Sequence, residues 1–141
     1  MNHDGPIVII DDDRDDQDIL LDVASELNLP NKLHFFGNTH EAFDFLKNTL
    51  DKPLVIISDV NLPQETGIEL KRRIDEDSQL RDKAIPFIFF STYIEKRIVE
   101  VAYKELTIQG FFKKSNHYND IKETLKMIVD YWSICKHPNS F

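Results

Sequence analysis

Three short apolar runs punctuate the chain, at 7–10, 54–57 and 87–90. Each is β-branched or aromatic and is bounded by polar or turn residues, the pattern of strands buried on both faces of a parallel sheet. Two weaker runs, at 32–36 and 109–112, fit two further strands. Between the runs, apolar residues recur with helical period. Ile19, Leu20, Val23 and Leu27 make one stripe, and Ala42, Phe43, Leu46 and Leu50 make a second. Ile68, Leu70 and Ile74 lie within 65–77, and Ile98, Val101, Ala102 and Leu106 within 95–106. The last segment carries Ile121, Leu125, Ile128, Trp132 and Cys135 at alternating spacings of four and three.

Strand and helix thus alternate five times. Such alternation predicts an α/β sandwich built from right-handed βαβ units. The five-stranded solution is a doubly wound, flavodoxin-like parallel sheet of order 2-1-3-4-5, with ligands at the C-terminal edge of its strands.

Composition narrows the function. The chain has 141 residues, room for one domain, with 41% hydrophobic and 30% charged residues, as in a globular protein. Its net charge of −8, from 25 acids and 17 bases, weighs against a nucleic-acid surface. A single cysteine, Cys135, excludes an internal disulfide and a cysteine zinc cluster. The N-terminus lacks a signal-peptide pattern, and no apolar run exceeds four residues, so no membrane span is expected and the cytoplasm is the default compartment.

The predicted sheet places chemistry on one edge. Its first strand ends in Asp11-Asp12-Asp13, its third in Ser58-Asp59 and its fourth in Ser91-Thr92, while Lys113-Lys114 follows the fifth. Neighbouring strands would bring three carboxylates, a hydroxyl and an ammonium into one pocket. Crowded carboxylates favour protonation unless a cation joins them. Mg²⁺ suits one or two direct carboxylates together with waters and a phosphoryl oxygen. The hydroxyl and ammonium would hold an incoming anion, which describes phosphoryl transfer to a carboxylate. Asp13, Asp15, Asp16 and Asp18 read as acids at a helix N-terminus, favoured by the helix dipole.

These residues resemble the receiver domain of bacterial two-component response regulators. The likeness is carried by Ile7-Val8-Ile9-Ile10-Asp11-Asp12, by Ile56-Ile57-Ser58-Asp59-Val60-Asn61-Leu62-Pro63 with Gly67, by Ile85-Pro86-Phe87-Ile88-Phe89-Phe90-Ser91-Thr92, and by Gly110-Phe111-Phe112-Lys113-Lys114. It covers about 5–132 of a single domain spanning 1–141. The resemblance implies that Asp59 accepts a phosphoryl group from a sensor histidine kinase or a His-phosphotransfer protein. It implies that Asp12 ligates Mg²⁺ directly, with Asp11 as its partner, Asp59, and the backbone carbonyl of Asn61. Ser91, with Thr92 beside it, would meet the phosphoryl group, Lys114 would pair with its oxygens, and Phe111 would switch rotamer. The family has activities toward its own phosphoryl group but is a signalling family, not one of enzymes acting on diffusible substrates.

The chain departs from the family pattern in several places. Ser115 stands where proline usually follows the lysine, so a trans Lys114–Ser115 bond is expected. Thr66 stands where aspartate commonly precedes Gly67, and Tyr93 and Gln64 are candidates to shield the phosphoryl group from water. Nine residues follow Trp132, too few for an output domain, so a stand-alone receiver similar to the single-domain partners of bacterial phytochromes is expected. A haloacid-dehalogenase-type phosphatase would need an aspartate at Asn61, and a nucleotide-binding module would need glycines where Asp11 to Asp16 stand. A receiver that signals without phosphorylation would not need the full set of Asp11, Asp12, Asp59, Ser91 and Lys114. Finally, Met127, Tyr131 and Ile134 form a second stripe on the last helix, a candidate face for a homodimer.

Overall fold

The computed structural model describes residues 4–140. Five parallel strands, β1 (Ile7–Ile10), β2 (Leu33–Phe36), β3 (Val55–Ser58), β4 (Phe87–Ser91) and β5 (Gly110–Lys113), form one sheet of order β2-β1-β3-β4-β5. This is the predicted topology, and each strand lies within one residue of its predicted run. β1, β3 and β4 are buried along their whole length, which is why they are written as unbroken apolar runs.

Among the described residues six α-helices, α1 (Arg14–Glu26), α2 (Thr39–Asn48), α3 (Gly67–Glu76), α4 (Ser78–Lys83), α5 (Lys96–Glu105) and α6 (Tyr118–Ile134), cover the two faces. Leu20 and Val23 of α1 pack with Ile121, Leu125, Ile128 and Trp132 of α6 against Ile7, Ile9 and Ile57. Ala42, Leu46, Ile68, Leu70, Ile74, Leu80 and Ala102 fill the opposite core against Val8, Ile10, Ile56 and Phe89. Among the described residues no helix is long and apolar enough to cross a membrane.

Three details differ from the sequence expectation. Leu50 is 99% exposed, because α2 stops at Asn48 and Thr49 is extended. The Lys83 ammonium, from the last residue of α4, donates to the carbonyls of Leu46 at 2.5 Å and Thr49 at 3.3 Å and closes the end of α2. The short helix α4 has no counterpart in the sequence pattern: six mostly polar residues with one buried side chain, Leu80, carry too little periodicity to read. Asp77 caps it by accepting from the Leu80 amide at 3.0 Å. Cys135 is no longer helical but is the extended residue that ends α6, half-buried against the core.

Beyond Cys135 the chain folds back under the sheet. His137 is buried, and the amide of Asn139 donates to its Nδ1 at 3.0 Å. The ring nitrogen that remains, Nε2, therefore carries the proton and donates to the Leu54 carbonyl at 2.6 Å. The Trp132 ring packs edge-on against the His137 ring, with centroids 5.1 Å apart.

Candidate functional site

Because every strand runs the same way, the five C-termini share one edge. β1 and β3 pair with Ile10 opposite Ser58, so Asp11 and Asp59 emerge side by side. The Asp59 amide fixes this register by donating to the Ile10 carbonyl at 2.9 Å. One carboxylate oxygen each from Asp11, Asp12 and Asp59 lies within 4.8 Å of the others. Asp11 is buried, Asp59 half-buried and Asp12 exposed, so the trio opens toward solvent on one side. Three hard oxygen donors in that space fit a divalent cation of the Mg²⁺ type.

The loop after β3 is built to hold Asp59. Its Oδ1 accepts from the Val60 amide at 2.7 Å. The Gly67 amide then donates to the Val60 carbonyl at 2.8 Å, bringing the start of α3 onto the loop. A Cβ on Gly67 would stand 2.2 Å from the Asp59 carbonyl oxygen, an overlap with backbone that only glycine avoids. Thr66 caps α3 in a reciprocal pair with Glu69, a box that rationalises threonine at this turn.

β5 delivers Lys114, whose amide donates to the Ser91 carbonyl at 2.7 Å. The Lys114–Ser115 bond is trans, as expected, since the described residues contain no cis peptide. Ser115 Oγ turns away from the site to donate to Asp120 Oδ2 at 2.9 Å. The Lys114 ammonium lies buried among carboxylates, donating to Asp11 Oδ2 at 2.6 Å and Asp16 Oδ2 at 3.0 Å, with Asp59 Oδ2 at 3.5 Å. Burial alone would lower its pKa, but the hydrogen bond and charge of Asp11, then Asp16 and Asp59, outweigh it and hold the lysine well above its ordinary value. Asp11 is displaced upward, first by burial and further by the nearby charge of Asp59, against the pull of Lys114 and of the Asp13 amide.

The remaining predicted residues surround this cluster. Ser91 is buried at the end of β4, and its Oγ accepts from the Tyr93 amide at 3.3 Å. Thr92 and Asn61 are exposed in the loops after β4 and β3. Phe111, half-buried on β5, packs its ring 5.4 Å from that of Phe89. Tyr93 is exposed, its hydroxyl donating to Glu95 at 3.2 Å. Met127, Tyr131 and Ile134 are exposed on α6, as the displaced stripe requires. Asp13 keeps its role at the helix terminus, accepting from the Asp15 and Asp16 amides. Asp16 does not fit that reading alone, since its carboxylate pairs with Lys114; nothing in its sequence position distinguishes it from the acids beside it.

Comparison with known proteins bears on this geometry. The family model of the response regulator receiver domain matches residues 7–126. The chain is 24% identical over 131 residues to the response regulator Rcp1 of Synechocystis sp., covering 89% of this chain and 87% of that protein. Among solved structures it resembles the phosphorylated cyanobacterial phytochrome response regulator RcpA, with a TM-score of 0.84 and 23% identity over 95% of this chain and 98% of that one. It also resembles the Mn²⁺-bound form of Rcp1, with a TM-score of 0.78 and 22% identity over 91% and 94% of the two chains. At these identities the structural matches speak to the fold.

Proposed function

The chain belongs to the response regulator receiver domain family, with a phosphoacceptor role in two-component signalling, and from that premise we propose the roles of its residues. Asp59 is the phosphoacceptor. Its carboxylate attacks the phosphorus of a phosphohistidine on a sensor histidine kinase or a His-phosphotransfer protein. An Asp59 O–P bond forms, the P–N bond breaks, and the imidazole leaves. Mg²⁺, when bound, supplies positive charge that offsets the charge of the transferred group. Asp11, Asp12, Asp59 and the Asn61 carbonyl would hold it; the Mn²⁺-bound form of the relative Rcp1 supports a divalent ion here.

The observation that carries this reading is Lys114, a charged ammonium buried beside the trio and 3.5 Å from Asp59. It gives the phosphoryl oxygens a partner at the place where they would form. Ser91 supplies a hydroxyl on the neighbouring strand, with Thr92 at the rim. Rearrangement of the Ser91-Thr92-Tyr93 loop, followed by Phe111, would carry the change toward α5 and β5. The protein signals through this change and through contact with other proteins in the cytoplasm, where the donor's phosphoryl group originates, and does not turn over a diffusible substrate.

The test is labelling of the full chain by acetyl phosphate. Wild type should be labelled only with Mg²⁺, and Asp59→Ala should lose the label. Labelling that persists in that variant, or that ignores a chelator, would remove the assignment.

The exposed stripe of Met127, Tyr131 and Ile134 supports a second contact, a homodimer across α6. Analytical ultracentrifugation should find a concentration-dependent dimer that Tyr131→Glu with Ile134→Glu disrupts. A monomer at high micromolar concentration, with and without phosphorylation, would exclude it.

A further inference from the structure

The Lys114 ammonium does not treat its three carboxylates alike. It hydrogen-bonds Asp11 Oδ2 at 2.6 Å and Asp16 Oδ2 at 3.0 Å, but stands 3.5 Å from Asp59 Oδ2, beyond an ordinary hydrogen bond. Asp11 and Asp59 belong to the trio that fits a cation, and Asp16 does not. The ammonium is thus drawn to the α1 side of the site, leaving the Asp59 oxygen that faces it unbonded by lysine.

A closed ring of hydrogen bonds fixes this arrangement. Asp11 Oδ1 accepts from the Asp13 amide at 2.9 Å, and Asp13 Oδ1 accepts from the Asp16 amide at 3.2 Å. Asp16 Oδ2 then accepts from Lys114, which donates back to Asp11 Oδ2. Each link orients the next, and all the links beyond Lys114 are made within the first six residues after β1. The backbone after Lys114 gives no comparable hold, since Ser115 is tied to Asp120 at the start of α6 instead.

Resting on the phosphoacceptor reading of Asp59, we propose that Asp16 is a positioning residue that acts through Lys114. It holds the ammonium away from Asp59, so that Asp59 stays open to a divalent cation and to the incoming phosphoryl group. A desolvated ammonium must find acceptors. Without the Asp16 carboxylate, its remaining acidic neighbours are Asp11 and Asp59, and it would close on Asp59. Its charge and its hydrogen bond would then both oppose the cation.

Mg²⁺ titration of the full chain by calorimetry tests this apart from phosphorylation. Asp16→Asn removes the negative charge that draws the ammonium and should weaken Mg²⁺ binding about tenfold, a modest part of a charge pair at this distance. Asp15→Asn removes the same charge from the same helical turn, but the contact of Asp15 is its backbone amide. It should change binding by less than about twofold, as a screened surface charge does. In a Lys114→Met background, Asp16→Asn should also change binding by less than about twofold, because the group it acts through is gone. The labelling rate of Asp16→Asn should fall at low Mg²⁺ and recover at saturating Mg²⁺.

Equal effects of Asp16→Asn and Asp15→Asn would overturn the proposal, as would an Asp16→Asn effect undiminished in Lys114→Met. A wild type that binds Mg²⁺ but accepts no phosphoryl group would sink the phosphoacceptor reading while the titrations still decide the role of Asp16.

Discussion

Lys114→Met is expected to unfold at a free energy about 3 kcal/mol below wild type when divalent cations are chelated. The lysine side chain is 3% exposed and that of Asp11 4%, so the pair has little water to fall back on. Methionine fills much of the same volume but leaves Asp11, Asp16 and Asp59 without their shared cation. Removing one member of a buried ion pair costs more than the pair itself contributes, because the abandoned charge remains desolvated. The folded-state pKa of Lys114 lies above the unfolded value, so its contribution is fully present below the unfolded pKa and is lost only as pH rises through the folded one. The lysine's own contribution is therefore constant across neutral pH. Mg²⁺ should narrow the deficit, since the cation binds the folded chain and takes over part of the neutralisation. Denaturant unfolding with and without Mg²⁺ measures both effects. A Lys114→Met chain as stable as wild type in chelator would show that the carboxylates do not depend on the lysine.

The other large effect is expected at the end of α6. Trp132→Ala should cost about 3–5 kcal/mol. The indole is buried in the core between α1, α6 and the sheet, and it is also the surface against which His137 packs. Its loss leaves a cavity and loosens the tail that His137 and Asn139 tie to Leu54 and Lys52. Leu50→Ala, at a side chain 99% exposed and away from the α6 face, should stay within about 0.5 kcal/mol of wild type. Chemical denaturation of the two variants gives the comparison. A Trp132→Ala loss below about 1 kcal/mol would mean that the end of α6 adds little to the fold.

Much of this architecture is legible before any coordinates. The strand runs at 7–10, 54–57 and 87–90 identify themselves because a strand buried on both faces is built almost wholly of apolar residues. Once these runs and the weaker one at 109–112 are strands of a parallel sheet, Asp11, Asp59 and Lys114 must share an edge, so the core of the site follows from topology. What escapes is set by neighbours distant in sequence. The stripe ending in Leu50 continues the period of α2, but Lys83, thirty-three residues later, takes the carbonyls that would have continued the helix. The helix α4 is too short and too polar to carry a period. Asp16 escapes for a different reason. Acids in the first turn of a helix are explained by the dipole whether or not they do anything else. Only the placement of Lys114, ninety-eight residues later, separates Asp16 from Asp15.

The proposed phosphoacceptor is a single carboxylate, Asp59. It is tested most directly by incubating the wild-type chain with a phosphorylated histidine kinase and Mg²⁺, then mapping the modified residue by mass spectrometry of peptides. The expected result is an acyl phosphate on Asp59 and on no other acid, with the neighbouring Asp11 and Asp12 unmodified. A phosphoryl group mapped to another residue would overturn the assignment of Asp59.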